Sequence, residues 1–312
     1  MKRWKPTCWR LNKVLLQHAQ TPASETPNGW TCMDTYCVFG HPIEHSKSPW
    51  IHARFAQLTD QDLVYHKTLA PLDGFANSLH AFQIQGGKGC NVTLPFKTQA
   101  AALATHCSPR VSLAQACNTL KFDGSTLYGE NTDGLGLVTD LVRNAGCQLK
   151  GQSILLMGAG GAAAGVLGPL LSEKPRQLWV CNRTVDKATQ LVQRHATLAA
   201  EQGVDCQAMS LQHEGLFSQS FDVVINATSS SLQQGQVPVP PSVLQSGGMA
   251  CDLMYGPAAQ GFMQWATAGG AQARDGLGML VEQAAESFYV WRGVRPPTAP
   301  VLAELRALLA PA

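Results

Sequence analysis

SILLMGAGGAAAGV, residues 153–166, decides the architecture of this chain. SILLM has the short apolar character of a buried strand and runs straight into Gly158-Ala159-Gly160-Gly161-Ala162, after which the pattern predicts a helix over 162–171. Strand, glycine turn and helix together make a G-x-G-x-x-A form of the dinucleotide fingerprint. Gly158 permits the tight turn, Gly160 lets the backbone come close to a pyrophosphate, and the N–H groups opening the helix offer that anion a dipole-favoured seat. Glycine turns also end strands for purely structural reasons. The position between a strand and a helix gives this one its weight.

The next strand-type run, QLWVC at 177–181, ends in Asn182-Arg183-Thr184, with Lys187 one helical turn further on. An NAD site places Asp or Glu there for the ribose 2′-hydroxyl, whereas Arg183 and Lys187 suit a 2′-phosphate, so NADP is the expected cofactor. Thr184 is equally suited to being an N-cap and Lys187 to being a solvated helix residue, and the cap role is compatible with the other. Further outward, VDKATQLVQRHATLAAE (185–201) has helical spacing, while FDVVINAT (221–228) and GMACDLM (248–254) are strand-type. GLGLVTDLVRNAG at 134–146 is helical, with Gly146 capping its C-terminus.

Upstream, β-type and helix-type runs alternate: YCVFG with SPWIHARFAQL, LVYHKTL with PLDGFANSLHAF, KGCNVT with PFKTQAAALA. Three β-α units in succession point to a parallel, helix-covered sheet. CNTLKF and TLYGEN, separated by Asp123-Gly124-Ser125, are expected to form a hairpin, because Asp-Gly supplies the residues a tight reversal needs. From Gly276 on, GLGMLVEQAAESFYVWRG and APVLAELRALLA have helical spacing. Residues 1–32 end in QTPASETPNGWT, without periodicity, and are expected to be a flexible extension.

At 312 residues the chain has room for about two domains. Charged residues are only 14%, and the net charge of +2 offers no concentrated basic field, which argues against nucleic acid or an anionic membrane and for a small-molecule partner. The ten cysteines stand singly, with no C-x-x-C pair and no zinc-finger spacing, so reduced thiols, no metal and a cytoplasmic location are expected. No apolar run is long enough to span a bilayer, and MKRWK is not followed by the apolar region of a signal peptide.

HSKSP (45–49), NVTLPFK (91–97), NT (118–119), NTDG (131–134), GAGGA (158–162), NRT (182–184), NATSS (226–230) and DGLGMLVEQAA (275–285) occur in the order found in the shikimate dehydrogenase family, which the chain closely resembles from about Met33 onward. The resemblance implies NADP-dependent reduction of 3-dehydroshikimate to shikimate. It also implies an α/β fold of two α/β domains separated by a cleft: a substrate domain with a mainly parallel sheet, from 33–134 plus 276–312, and a Rossmann-type NADP-binding domain, 135–275. Reduction of a ketone leaves a developing alkoxide, so a proton donor must stand within hydrogen-bond reach. Lys97, an apparent surface lysine on its own merits, becomes the candidate donor through the resemblance, with Asp133 of NTDG as its paired acid.

Ser46 and Ser48, on a loop entering the SPWIHARF helix, have hydroxyls suited to a carboxylate, though helix capping would explain them as well. By similarity, Thr93, Asn118, Asp133 and Gln283 bind ring hydroxyls and Tyr255 assists at the carboxylate, while Thr228, Leu253 and Gly276 border the nicotinamide. Pro109 stands where many family members carry an acidic residue, and Ser231 replaces a common glycine. The N-terminal extension has no counterpart in the family pattern, so Met33 is expected to be the functional start or residues 1–32 dispensable. A quinate/shikimate dehydrogenase with relaxed NAD use and a non-catalytic NADP-binding homologue are the alternative readings. The protein is expected to be a monomer or homodimer.

Overall fold

The computed structural model describes residues 33–228 and 237–310; the extension expected over 1–32, and Ser231, lie outside the described residues. The chain opens with β1 (Asp34–Gly40), α1 (Ser48–Thr59), β2 (Leu63–Leu69), α2 (Phe75–Ile84), β3 (Gly89–Val92) and α3 (Lys97–Leu103). Then come β4 (His106–Cys107), α4 (Pro109–Ala114), β5 (Thr119–Asp123) and β6 (Thr126–Glu130). These six strands form one sheet in the order β2-β1-β3-β5-β6-β4. The three β-α units supply its parallel part, β1 pairing with β2 and β3. The β5–β6 hairpin makes it a mixed sheet, since β5 runs antiparallel to both β3 and β6. Sequence patterning did not single out β4 and α4. A two-residue strand has no period to detect, and Pro109 is the first residue of α4, with the Ser108 hydroxyl capping it at Val111 N–H.

A connecting helix, α5 (Asp133–Thr139), continues as a π-helical turn over Asp140–Asn144. A second sheet is built from β7 (Ser153–Met157), α6 (Gly161–Ser172), β8 (Gln177–Asn182), α7 (Val185–Arg194), α8 (Ala196–Gln202) and β9 (Asp205–Ser210). It is completed by α9 (Glu214–Phe217), β10 (Phe221–Asn226), β11 (Leu244–Asp252), α10 (Gln260–Ala268) and β12 (Gln272–Arg274). Its order, β12-β11-β10-β7-β8-β9, is all parallel and is the doubly wound dinucleotide order, with the topological switch between β7 and β10. The single helix expected over 185–201 is two helices. Its break is at His195, whose buried ring turns back to Leu191 O and packs at Gly168 of α6.

Burial follows the strand period. Ile154 and Leu156 of β7 join a core shared with α5 and α6, while Leu155 and Met157 point to the opposite core with Phe221 and Phe262. A parallel sheet covered on both faces buries every residue of such a strand, which is why SILLM is apolar without alternation. In the mixed sheet, Cys37 and Phe39 of β1 face one core and Tyr36 and Val38 the other. The C-terminal helices α11 (Leu277–Arg292) and α12 (Thr298–Leu309) return to the first sheet, where Leu277, Val281 and Phe288 pack on Ile51 and Phe55 of α1. Among the described residues no helix is long and apolar enough to cross a membrane.

Candidate active site

Strand ends converge on one cavity of about 360 Å³. The loop after β1 contributes Ser46; Ser48 opens α1; the end of β3 leads to Thr93; Lys97 opens α3; Asp133 opens α5; and α11 contributes Gln283. Asn118 and Tyr255 line the same space, as do Ala162 from the start of α6 and Leu253 and Gly276 from the second sheet's side.

Lys97 Nζ lies 2.6 Å from Asp133 Oδ2, and the two side chains are only 14% and 7% exposed. A lysine this enclosed is held by its partner rather than by water. Asp133 is the first residue of α5, where a carboxylate is favoured by the helix dipole. Its backbone N–H donates to Asn131 Oδ1, Asn131 Nδ2 donates to Ala116 O, and Asn118 Nδ2 donates to Asp133 Oδ1 at 2.9 Å. Lys97's own carbonyl accepts from Cys117 N–H. Lys97 and Asp133 are thus both tied to the same short segment, 116–118.

Ser46 does act locally as well, its Oγ accepting from Ser48 N–H at 3.3 Å, and Ser48 itself is the first residue of α1, preceded by Lys47 as N-cap. Burial pushes the Tyr255 phenol up, so it remains a hydrogen-bond donor through neutral pH. Asn91, buried on β3 two residues before Thr93 and hence on the same strand face, also lines the cavity and was not singled out from the sequence. The N-x-T alternation within NVTLPFK was the available signal. Its amide is fully engaged, accepting from Tyr65 Oη at 2.7 Å and donating to Asn118 O at 3.0 Å.

The remaining expected positions, Gly158, Ala159, Gly160, Gly161, Asn182, Arg183, Thr184, Lys187 and Thr228, follow the C-terminal ends of β7, β8 and β10 and do not line the cavity. Gly158 has φ +109, and a Cβ there would stand 2.9 Å from Ala227 O, so the turn after β7 packs directly on the turn after β10 at the switch point. Over Gly160 and Gly161 a Cβ would meet nothing within 4 Å. That open space, above the first N–H groups of a twelve-residue helix, is the form of a pyrophosphate seat. Arg183 and Lys187 are exposed after β8, the strand that pairs with β7, and Asn182 Nδ2 donates to Thr184 O at 2.8 Å, shaping the turn. Thr184 occupies the N-cap position of α7 without making a side-chain cap bond. Thr228 Oγ1 donates to Asn226 Oδ1 at 2.7 Å.

Three family models match the chain: the shikimate dehydrogenase substrate binding domain over 38–120, shikimate / quinate 5-dehydrogenase over 140–234, and the shikimate 5′-dehydrogenase C-terminal domain over 276–306. Among curated relatives, a shikimate dehydrogenase (NADP(+)) of Acidovorax ebreus is 62% identical over 277 residues, covering 89% of this chain and 97% of that protein. One from Paracidovorax citrulli is 63% identical over 278 residues, covering 88% and 98%. Among solved structures, the shikimate 5-dehydrogenase of Thermus thermophilus in complex with NADP(H) and shikimate superposes with a TM-score of 0.77 at 29% identity, covering 89% of this chain and 100% of that one. Shikimate dehydrogenase from Aquifex aeolicus gives 0.76 at 28%, covering 88% and 97%.

Proposed function

The chain belongs to the shikimate dehydrogenase family, and from that premise we propose how its residues divide the work of reducing 3-dehydroshikimate to shikimate with NADPH. NADP is the coenzyme, and bound NADPH supplies the hydride. The open seat over Gly160 and Gly161 suits its pyrophosphate, Arg183 and Lys187 its 2′-phosphate, and Thr228, Leu253 and Gly276 the approach of its nicotinamide. Residues 135–275 then bind the cofactor and 33–134 with 276–312 the substrate.

As negative charge develops on the substrate oxygen, Lys97 delivers a proton to it, and Asp133 holds both the lysine and the neighbouring substrate hydroxyl. Ser46, Ser48 and Tyr255 bind the substrate carboxylate through neutral donors, while Thr93, Asn118 and Gln283 bind ring hydroxyls. The supporting observation is the enclosed Lys97–Asp133 pair at 2.6 Å, in a cavity also bordered by Ala162 of the cofactor helix. A cytoplasmic setting agrees with the eight described cysteines, all of which are free thiols.

Replacing Lys97 by Met tests the assignment. The proton donor is lost while the pocket keeps its volume, so kcat falls by about 10²–10⁴ and shikimate binding, followed by tryptophan fluorescence, stays close to wild type. Turnover at the wild-type rate in that variant overturns the role given to Lys97.

A further inference from the structure

Four buried side chains touch in a circle, of which Asn118 lines the cavity. Asn118, Thr119, Thr132 and Ser287 are between 0% and 3% exposed, and they come from β5 and its approach, from the segment before α5, and from α11. Thr119 Oγ1 is 3.0 Å from Asn118 Oδ1, Ser287 Oγ is 2.8 Å from Thr119 Oγ1, Thr132 Oγ1 is 3.2 Å from Ser287 Oγ, and Asn118 Nδ2 is 2.9 Å from Thr132 Oγ1.

Counting protons gives this circle a direction. The backbone N–H of Thr132, which can only donate, lies 2.9 Å from one end of the Asn118 amide, and the Asp133 carboxylate, which accepts, lies 2.9 Å from the other. The amide oxygen is therefore the end facing Thr119. That oxygen carries no proton, so Thr119 spends its single one there. The Thr119–Ser287 contact must then use the Ser287 proton, and the Ser287–Thr132 contact the Thr132 proton. Thr132 is left as an acceptor for Asn118 N–H, and the circle closes with every bond pointing the same way. Other acceptors are near, but each is longer or leaves the circle intact: Gln283 O is 3.0 Å from Ser287 Oγ, Gln283 Oε1 is 3.2 Å from Asn118 Nδ2, and Thr132 Oγ1 has Asn118 Oδ1 at 3.3 Å and Gln283 Oε1 at 3.4 Å, against 3.2 Å to Ser287 Oγ. Asn91 Nδ2, at 3.0 Å from Ser287 Oγ and 3.1 Å from Thr119 Oγ1, can only add a donation to it.

We infer that Thr119, Thr132 and Ser287 form with Asn118 a one-way hydrogen-bond ring that holds the second Asn118 N–H on the Asp133 carboxylate, making Thr119 and Ser287 positioning residues for the Lys97–Asp133 pair. The inference rests on the reading of that pair as the acid-base unit. Bonds aligned in a ring polarise one another, so each member strengthens the last one, at Asp133. Removing a hydroxyl opens the ring: without Thr119 Oγ1 the Ser287 proton turns to Gln283 O, and Asn118 loses one of the donors that fix its oxygen.

Thr119→Val keeps the shape and deletes the hydroxyl, whereas Thr119→Ser keeps the hydroxyl and deletes a buried methyl. With shikimate and NADP, Thr119→Val and Ser287→Ala are expected to lower kcat about tenfold with the KM for NADP unchanged, and Thr119→Ser to turn over at close to the wild-type rate. A residue that serves only packing gives the reverse order, because the serine variant then carries the cavity. Wild-type kcat in Thr119→Val, or Thr119→Ser as slow as the valine variant, overturns the ring. Should Thr119→Val not fold, Ser287→Ala decides alone, since Asn91 there retains Asn118 O and Thr119 Oγ1 as acceptors. Lys97→Met is run alongside: turnover in it defeats the acid-base reading itself, while an inactive Lys97→Met beside fully active Thr119→Val and Ser287→Ala defeats the ring alone.

Discussion

Replacing His52 with Phe should make the protein less sensitive to acid. His52 sits on α1, wholly buried, its ring stacked on Tyr65 with centroids 4.3 Å apart and planes 7° from parallel, with Phe288 also alongside. Neither ring nitrogen has a hydrogen-bond partner. Burial drives its pKa from 6.5 down to about 3, because a charged imidazolium here would lose its water, a loss that the neighbouring Asn91 side chain offsets only in part. The folded-state value is depressed, so below pH 6.5 the unfolded chain takes up a proton that the folded one refuses, and stability falls as pH falls through the window from 6.5 to 3. At pH 5 the loss amounts to about 2 kcal/mol, from about 1.4 kcal/mol for each pH unit below the unfolded value. Phe keeps the stacking and has no proton to bind. Thermal unfolding by circular dichroism at pH 7.5 and pH 5 should show a Tm drop smaller in His52→Phe than in wild type by about 4–8 °C. Parallel Tm–pH curves for the two proteins would refute the reasoning. His195, whose pKa burial also lowers, is present in both and cancels.

Arg183→Ala should raise the KM for NADP about tenfold, the order of a lost charge-assisted hydrogen bond, and leave the KM for NAD unchanged; an equal effect on both cofactors would move the 2′-phosphate elsewhere. Gly136→Ala should destabilise despite alanine's better helix propensity of about 1 kcal/mol. A Cβ there would stand 2.6 Å from Gln283 N and 2.8 Å from Met279 O, forcing α5 and α11 apart. Overpacking of that kind costs about 1–3 kcal/mol, so Tm falls and the KM for shikimate rises as Gln283 shifts; a raised Tm would show that the helices do not meet so closely.

Much of the fold was legible because its signals are local. The turn at Gly158 needs a positive φ and a close backbone approach, which only glycine provides, and β7 is apolar on both faces because it lies inside a covered parallel sheet. The edges were less legible. β4 and β12 have two and three residues, too few for a period, and the turn at His195 is imposed by packing on α6, which no helical pattern contains. The site divides in the same way. Gly158–Ala162 and Asn182–Lys187 are contiguous motifs, whereas Lys97 and Asp133 are 36 residues apart, and only the family resemblance joined them before the fold did. Ser287 was invisible for the same reason: it is 168 residues from the Thr119 hydroxyl that it meets, and a serine inside an amphipathic helix carries no mark of its partner.

The most direct measurement is the initial rate of oxidation of shikimate and of quinate, each with NADP and with NAD, followed by absorbance of the reduced nicotinamide. The neutral serine hydroxyls proposed for the carboxylate, and Arg183 with Lys187 proposed for the 2′-phosphate, predict a strong preference for shikimate with NADP. Comparable rates with quinate or with NAD would contradict that account of the pocket, and no rate with any pair would contradict the catalytic role of Lys97 and Asp133 altogether.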